Sequence, residues 1–227
     1  MDQLRGADAL ASGWLAVLLL LAVGVLAWVN LVSPRQWVVL ARSFGALRLG
    51  RHRLREDLDV RDRTLTGLAV MSAVVIAIFA YQVLLYHGWV RPGMPSYLYV
   101  LAAVVGVVGA RLLLLQLIRL LPAGDGGLKE YLYTVIVFHV VLGLLLLPVA
   151  VLMSWPGQVS WRAWLAWSGL GIGVAVLLFG WVRAVVVGVG SGAPLRYIFL
   201  YLCALEMLPV ALALQYARNI VPSLPHP

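Results

Sequence analysis

Four ionisable side chains interrupt otherwise apolar stretches: Arg111, His139, Arg183 and Glu206. Glu206 lies near the middle of Tyr197–Arg218, in the run Y-I-F-L-Y-L-C-A-L-E-M-L-P-V-A-L-A-L, with Cys203 one turn before it and Pro209 just after. A charge at bilayer depth costs about 2.5–3.5 kcal/mol on insertion scales, so such a residue normally faces the protein interior and has a partner. Arginine cannot shed its proton and needs an acceptor. Glu206 is the carboxylate on hand, which makes an Arg111–Glu206 or an Arg183–Glu206 pair the default. One carboxylate against two arginines leaves a positive surplus, to be absorbed by backbone carbonyls and water or by an anion. Pro209, lacking an N–H, frees the carbonyl of Leu205 and adds a kink and an acceptor beside the carboxylate.

Helical rise places the four in one layer. At about 1.5 Å per residue, Glu206 lies roughly 13 Å, Arg111 roughly 15 Å, His139 roughly 12 Å and Arg183 roughly 9 Å from the same membrane face. Three uses fit such a layer. A buried ion pair can fix helix register and do nothing else. The surplus cations can hold an anionic ligand, or the set can relay protons. Arg183 can also snorkel to the nearby interface, leaving Arg111 and Glu206 alone. His139 by itself reads as a hydrogen-bonded core residue, and Cys203 as a small packing residue. No H-E-x-x-H, Walker loop or G-x-S-x-G occurs. Nor does a carboxylate pair suited to a catalytic metal. The expectation is a non-enzymatic chain without cofactor or metal.

The elements that must position this layer follow from composition. Of 227 residues, 63% are hydrophobic and 11% charged, with mean hydropathy +0.97; a soluble domain carries about 25% charged residues. Six apolar runs approach the roughly 20 residues needed to cross a bilayer: Gly13–Ser33, Leu65–Gly88, Tyr97–Leu121, Tyr131–Ser154, Ala163–Val189 and Tyr197–Ala217. The expected fold is all-α, a single polytopic six-transmembrane-helix bundle over residues 1–227. Eight arginines lie between the first two spans: Arg35, Arg42, Arg48, Arg51, Arg53, Arg55, Arg61 and Arg63. The positive-inside rule makes that loop cytoplasmic and both termini external. The net charge of +8 is thereby a matter of topology and not of nucleic-acid binding. The first span reads as an anchor and not a cleavable signal.

Residues 34–64 are more than a connection. Trp37, Leu40, Phe44 and Leu47 recur at helical spacing, with Arg35, Arg42, Ser43 and Arg48 between them. The pattern is an amphipathic helix, either lying in the interface with its basic side on anionic headgroups or packed under the bundle. Arg51, Arg53 and Arg55 then open a mixed-charge stretch that reads as solvated surface or as a docking face for a protein. Small residues at Ala102, Gly106 and Ala110, and at Gly169 and Gly173, mark close helix contacts. Aromatic residues at span ends read as an interfacial belt: Trp89, Tyr97, Tyr99, Tyr131, Tyr133, Trp155, Trp161 and Trp164.

The segment Y-I-F-L-Y-L-C-A-L-E-M-L-P resembles the C-terminal signature of a Bacteroidota integral membrane protein family, the domain of unknown function numbered forty-two seventy-one. The first span with its basic, aromatic-containing segment, Arg111 in the third span, and the stretch from Phe138 to Pro148 are similar to the same family. The resemblance covers nearly the whole chain, most specifically at Leu202, Cys203, Leu205, Glu206 and Pro209. It implies a multi-pass protein of a bacterial inner membrane and assigns no activity.

Two functions follow as expectations. In one, the layer of Glu206, Arg111, His139 and Arg183 binds or moves an anionic amphiphile or protons, with anionic lipid of the cytoplasmic leaflet as partner. In the other, the chain is a scaffold or assembly subunit of a larger cell-envelope complex. There it docks a membrane-protein partner through Arg35, Trp37, Arg42, Phe44, Arg48, Arg51, Arg53 and Arg55.

Overall fold

The computed structural model describes residues 10, 12–45, 63–119, 128–155 and 161–190. Six helices occupy them: α1 (Gly13–Val32), α2 (Arg35–Gly45), α3 (Arg63–Tyr86), α4 (Met94–Arg119), α5 (Leu128–Met153) and α6 (Arg162–Gly190). No strand occurs among the described residues. Five of the six are long and apolar enough to cross a membrane, all but α2. Their limits fall within a few residues of the expected spans, because each apolar run is closed by its own turn chemistry. The end of α3 shows this. Gly88 takes φ +71°, the amide of Trp89 donates to the carbonyl of Leu84, and that of Gly88 donates to Leu85. This is a Schellman closure, which needs a left-handed residue that glycine adopts without strain. The sixth expected span, Tyr197–Ala217, lies outside the described residues.

The long helices run up and down. Trp14 at the start of α1 meets Tyr81 near the end of α3 and Tyr97 at the start of α4. Gln82 near the end of α3 reaches Ser154 just past the end of α5. The closest pairing is α3 with α5, which are not neighbours in sequence; α1, α4 and α6 lie around that pair. Apolar burial explains little of this in a membrane, where lipid is as apolar as leucine and helices associate through close packing and hydrogen bonds. Both devices are present. A Cβ on Gly143 of α5 would lie 2.5 Å from the Ser72 Cβ and 2.6 Å from its Cα. Ser72 donates to Leu68 O at 2.7 Å and to Val140 O at 3.3 Å. Gln82, wholly buried, donates from Nε2 to Ala150 O at 3.0 Å and to Ser154 Oγ at 2.7 Å.

The small-residue expectation holds at Gly169, where a side chain would collide with the ring of Phe79. Among the described residues, Gly106 and Gly173 have nothing within 4 Å, and Ala102, Gly106 and Ala110 form an exposed row. The aromatic belt also needs amending. Trp89, Tyr99, Trp155, Trp161 and Trp164 are exposed as expected, whereas Tyr97 and Tyr133 are core residues. Tyr97 packs edge-on to Tyr81 at 6.1 Å, inside the cluster with Trp14.

Candidate functional site

α2 forms because its apolar positions share one side, and the structure shows what that side packs against. Leu40 is buried with Val29, Leu68 and Val140, and Trp37 leans on the same group. Phe44 packs against Leu65, Tyr133 and Val137. The segment is therefore a helix docked under the bundle, and its apolar side lies against protein rather than lipid. The side chains of Arg35 and Arg42, and residues Arg48, Arg51, Arg53 and Arg55, lie outside what the structure describes.

The last turn of α2 leads to the site. Arg183 of α6 donates from Nη1 to the carbonyl of Ser43 at 2.6 Å. The same guanidinium lies 5.7 Å from the centroid of Phe138, within cation–π range. Three rings surround the contact. Phe138 stacks on Phe179 at 5.6 Å with 22° between planes, and Phe44 closes against both, at 5.1 Å and 5.3 Å. Ser43 Oγ and Tyr133 Oη, 3.5 Å apart, add a long hydrogen bond from α2 to α5.

Arg183 is 1% exposed, the bulkiest of the fully buried side chains.

The rest of the expected layer is placed as follows. His139 follows Phe138 on α5, so it projects about 100° away from the Arg183 contact. Arg111 Nε and His139 Nε2 are both shielded from solvent, and His139 Nε2 makes no hydrogen bond among the described residues. Glu206, Cys203 and Pro209 lie outside the described residues. Among the described residues, no three His, Cys, Asp or Glu side chains come together as a metal site. An open apolar groove of about 400 Å³ runs along α1, lined by residues such as Leu20, Gly24 and Trp28. It holds no group that could recognise a headgroup.

A family model described as Domain of unknown function (DUF4271) matches residues 15–217. The chain belongs to that family. The match takes in every helix from α1 to α6 and the stretch carrying Glu206, so the family is defined over the bundle as a whole. No curated protein and no solved structure matches the chain.

Sequence reasoning missed Gln82, Ser72 and Gly143. The signal existed for the first: an amide in an apolar span must find hydrogen-bond partners in the bundle. It also missed the carbonyl of Ser43, which no residue type announces.

Proposed function

We propose that this DUF4271 protein is a six-span protein of a bacterial inner membrane that binds, and in binding moves, an anionic amphiphile at its buried cationic layer. In this reading Tyr197–Ala217 is the sixth span and both termini are external. The spans are those expected from sequence, and residues 34–64 form a basic cytoplasmic segment. The single observation that carries the reading is Arg183. Arg183 is fully buried, donates to the carbonyl of Ser43 and lies against the face of Phe138. An anionic headgroup offers such a guanidinium a full charge and oxygens for two parallel N–H bonds.

Arg111 of α4 is the second cation of the layer, with the His139 ring of α5 as its uncharged neighbour. Arg111 or Arg183 is the partner of Glu206 in this reading. Protonation of Glu206 then sets how much positive charge the layer offers. No bond is made or broken, and the role is non-enzymatic.

Purification from the native membrane in mild detergent, followed by mass spectrometry of bound lipids and proteins, tests this. One enriched anionic lipid is the expected result. A stoichiometric protein partner without enriched lipid would replace the reading with that of an assembly subunit.

A further inference from the structure

We propose that residues 149–154, at the end of α5 remote from α2, are a gate on the seam with α3, hinged at Pro148 and latched by the amide of Gln82. This goes beyond the reading of the buried layer and does not rest on it.

Pro148 lies inside α5. Proline has no N–H, so the carbonyl of Leu144 receives no bond from it, and the ring crowds that same carbonyl. Helices bend at such places. Pro148 is itself exposed, so it fills no gap in the core. The two halves of α5 that it separates are held to α3 in different ways. Toward α2 the hold is rigid: Gly143 lies against the backbone of Ser72, and Ser72 Oγ donates to Val140 O at 3.3 Å. Beyond Pro148 the hold is a flexible side chain. Gln82 Nε2 donates to Ala150 O at 3.0 Å and to Ser154 Oγ at 2.7 Å. Around these bonds the packing is apolar, with Val149, Ala150 and Met153 in the core. Lipid is as apolar as those residues, so it can take the place of α3 against them more readily than water could.

The latch is also incomplete. Gln82 is wholly buried, and its Oε1 has no hydrogen-bond partner among the described residues. Its Nε2 is engaged by α5 twice over, which fixes the amide and leaves the oxygen without a donor. A buried acceptor in that state loses its hydration and gains nothing in exchange. Gln82 lies one turn before the end of α3 at Tyr86, about 6 Å in by helical rise. Parting of α5 from α3 therefore lets water reach the oxygen. The closed form makes two bonds and forgoes one, which brings open and closed forms closer in free energy. An open seam gives the interior of the bundle a way to the water and lipid on that side.

The test uses the full chain in phosphatidylcholine nanodiscs. Met153 is wholly buried, so in a Cys203→Ser background Met153→Cys reacts with a water-soluble maleimide when the seam parts. Hydrogen exchange of residues 149–155 against 135–143, on chains without the added cysteine, gives a second measure. Gln82→Leu is expected to speed labelling about three- to eighteenfold, the range of interhelical hydrogen bonds in membranes expressed as an equilibrium. Exchange at 135–143 should not change with it. Pro148→Ala restores the missing helical bond and should slow labelling several-fold below the parent. The two substitutions together should label no faster than the parent, because the lost latch then has no hinge to release. If Gln82→Leu does not fold, Ser154→Ala removes one bond and should move labelling in the same direction by less. Labelling that Pro148→Ala leaves unchanged, alone or combined with Gln82→Leu, overturns the hinge and with it the gate. An equal rise in exchange at 135–143 in Gln82→Leu shows general loosening and overturns the gate as well. No lipid or anion binding enters these measurements, so the gate and the anion site stand or fall separately.

Discussion

Phe79 of α3 occupies the space in which a side chain on Gly169 of α6 would sit. The contact ties α6 to the central pair at the end of the bundle opposite α2. Gly169→Ala forces the ring aside and should cost about 1–3 kcal/mol, the usual penalty of overpacking. Thermal denaturation in detergent checks this, and Phe79→Leu should restore much of the loss. A Gly169→Ala protein as stable as the parent would mean that α6 does not pack here.

Gly143 should be less forgiving. Its obstruction is the Ser72 backbone as well as the side chain, at 2.6 Å and 2.5 Å, so no rotamer change relieves it. Gly143→Ala is expected to lower the melting midpoint more than Gly169→Ala does. Gly106→Ala and Gly173→Ala meet open space and should be neutral or gain up to about 1 kcal/mol from helix propensity.

Gln82 laces α3 to the last turn of α5 through Ala150 O and Ser154 Oγ. Interhelical hydrogen bonds in membranes average about 0.6 kcal/mol and reach about 1.7, so Gln82→Leu should fall within that range. Ser154→Ala removes one of the two bonds and should account for part of it. A double-mutant cycle between the two reads the coupling directly, and additive effects would deny the bond.

The proposed six-span arrangement predicts an alternating pattern of chemical access. With Cys203 replaced by serine, single cysteines placed at 122–127 should label from the same side as those at 48–60. Cysteines at 91–93 and 156–160 should label from the other side with the C-terminal residues 219–227. Labelling of 219–227 from the side of 48–60 would remove Tyr197–Ala217 as a span.

Glu206→Gln holds the layer at its most positive charge. Retention of an anionic lipid should rise and lose its dependence on pH, with the melting midpoint little changed. Retention that still varies with pH in this variant would take the carboxylate out of the mechanism.

The helices were legible because lipid imposes a length on every apolar run. Tyr97–Leu121 was expected and Met94–Arg119 is observed, a shift set by Gly93 and Pro95, where the chain can turn. The amphipathic pattern of α2 was legible too, but a helical pattern cannot say whether its apolar side meets lipid or protein. Leu40 and Phe44 answer that only through residues far away, Val140 and Tyr133 among them. Depth carries no angle, so it could not say that Arg183 meets Phe138 while His139, the next residue, projects about 100° away. The acceptor for Arg183 could not have been read at all, since every residue offers a carbonyl.

The closest helix pair, α3 and α5, has consequences for synthesis. α4 separates the two along the chain, so α3 enters the membrane before the surface it will pack against has been translated. In the interval Ser72 keeps its bond to Leu68 O within α3, but Gln82 has no helix to receive it, and the α3–α4 hairpin has to persist in lipid with that amide in search of acceptors. Insertion of this protein should therefore be most sensitive to a pause of the ribosome between residues 120 and 150, with a membrane chaperone shielding α3 until α5 arrives.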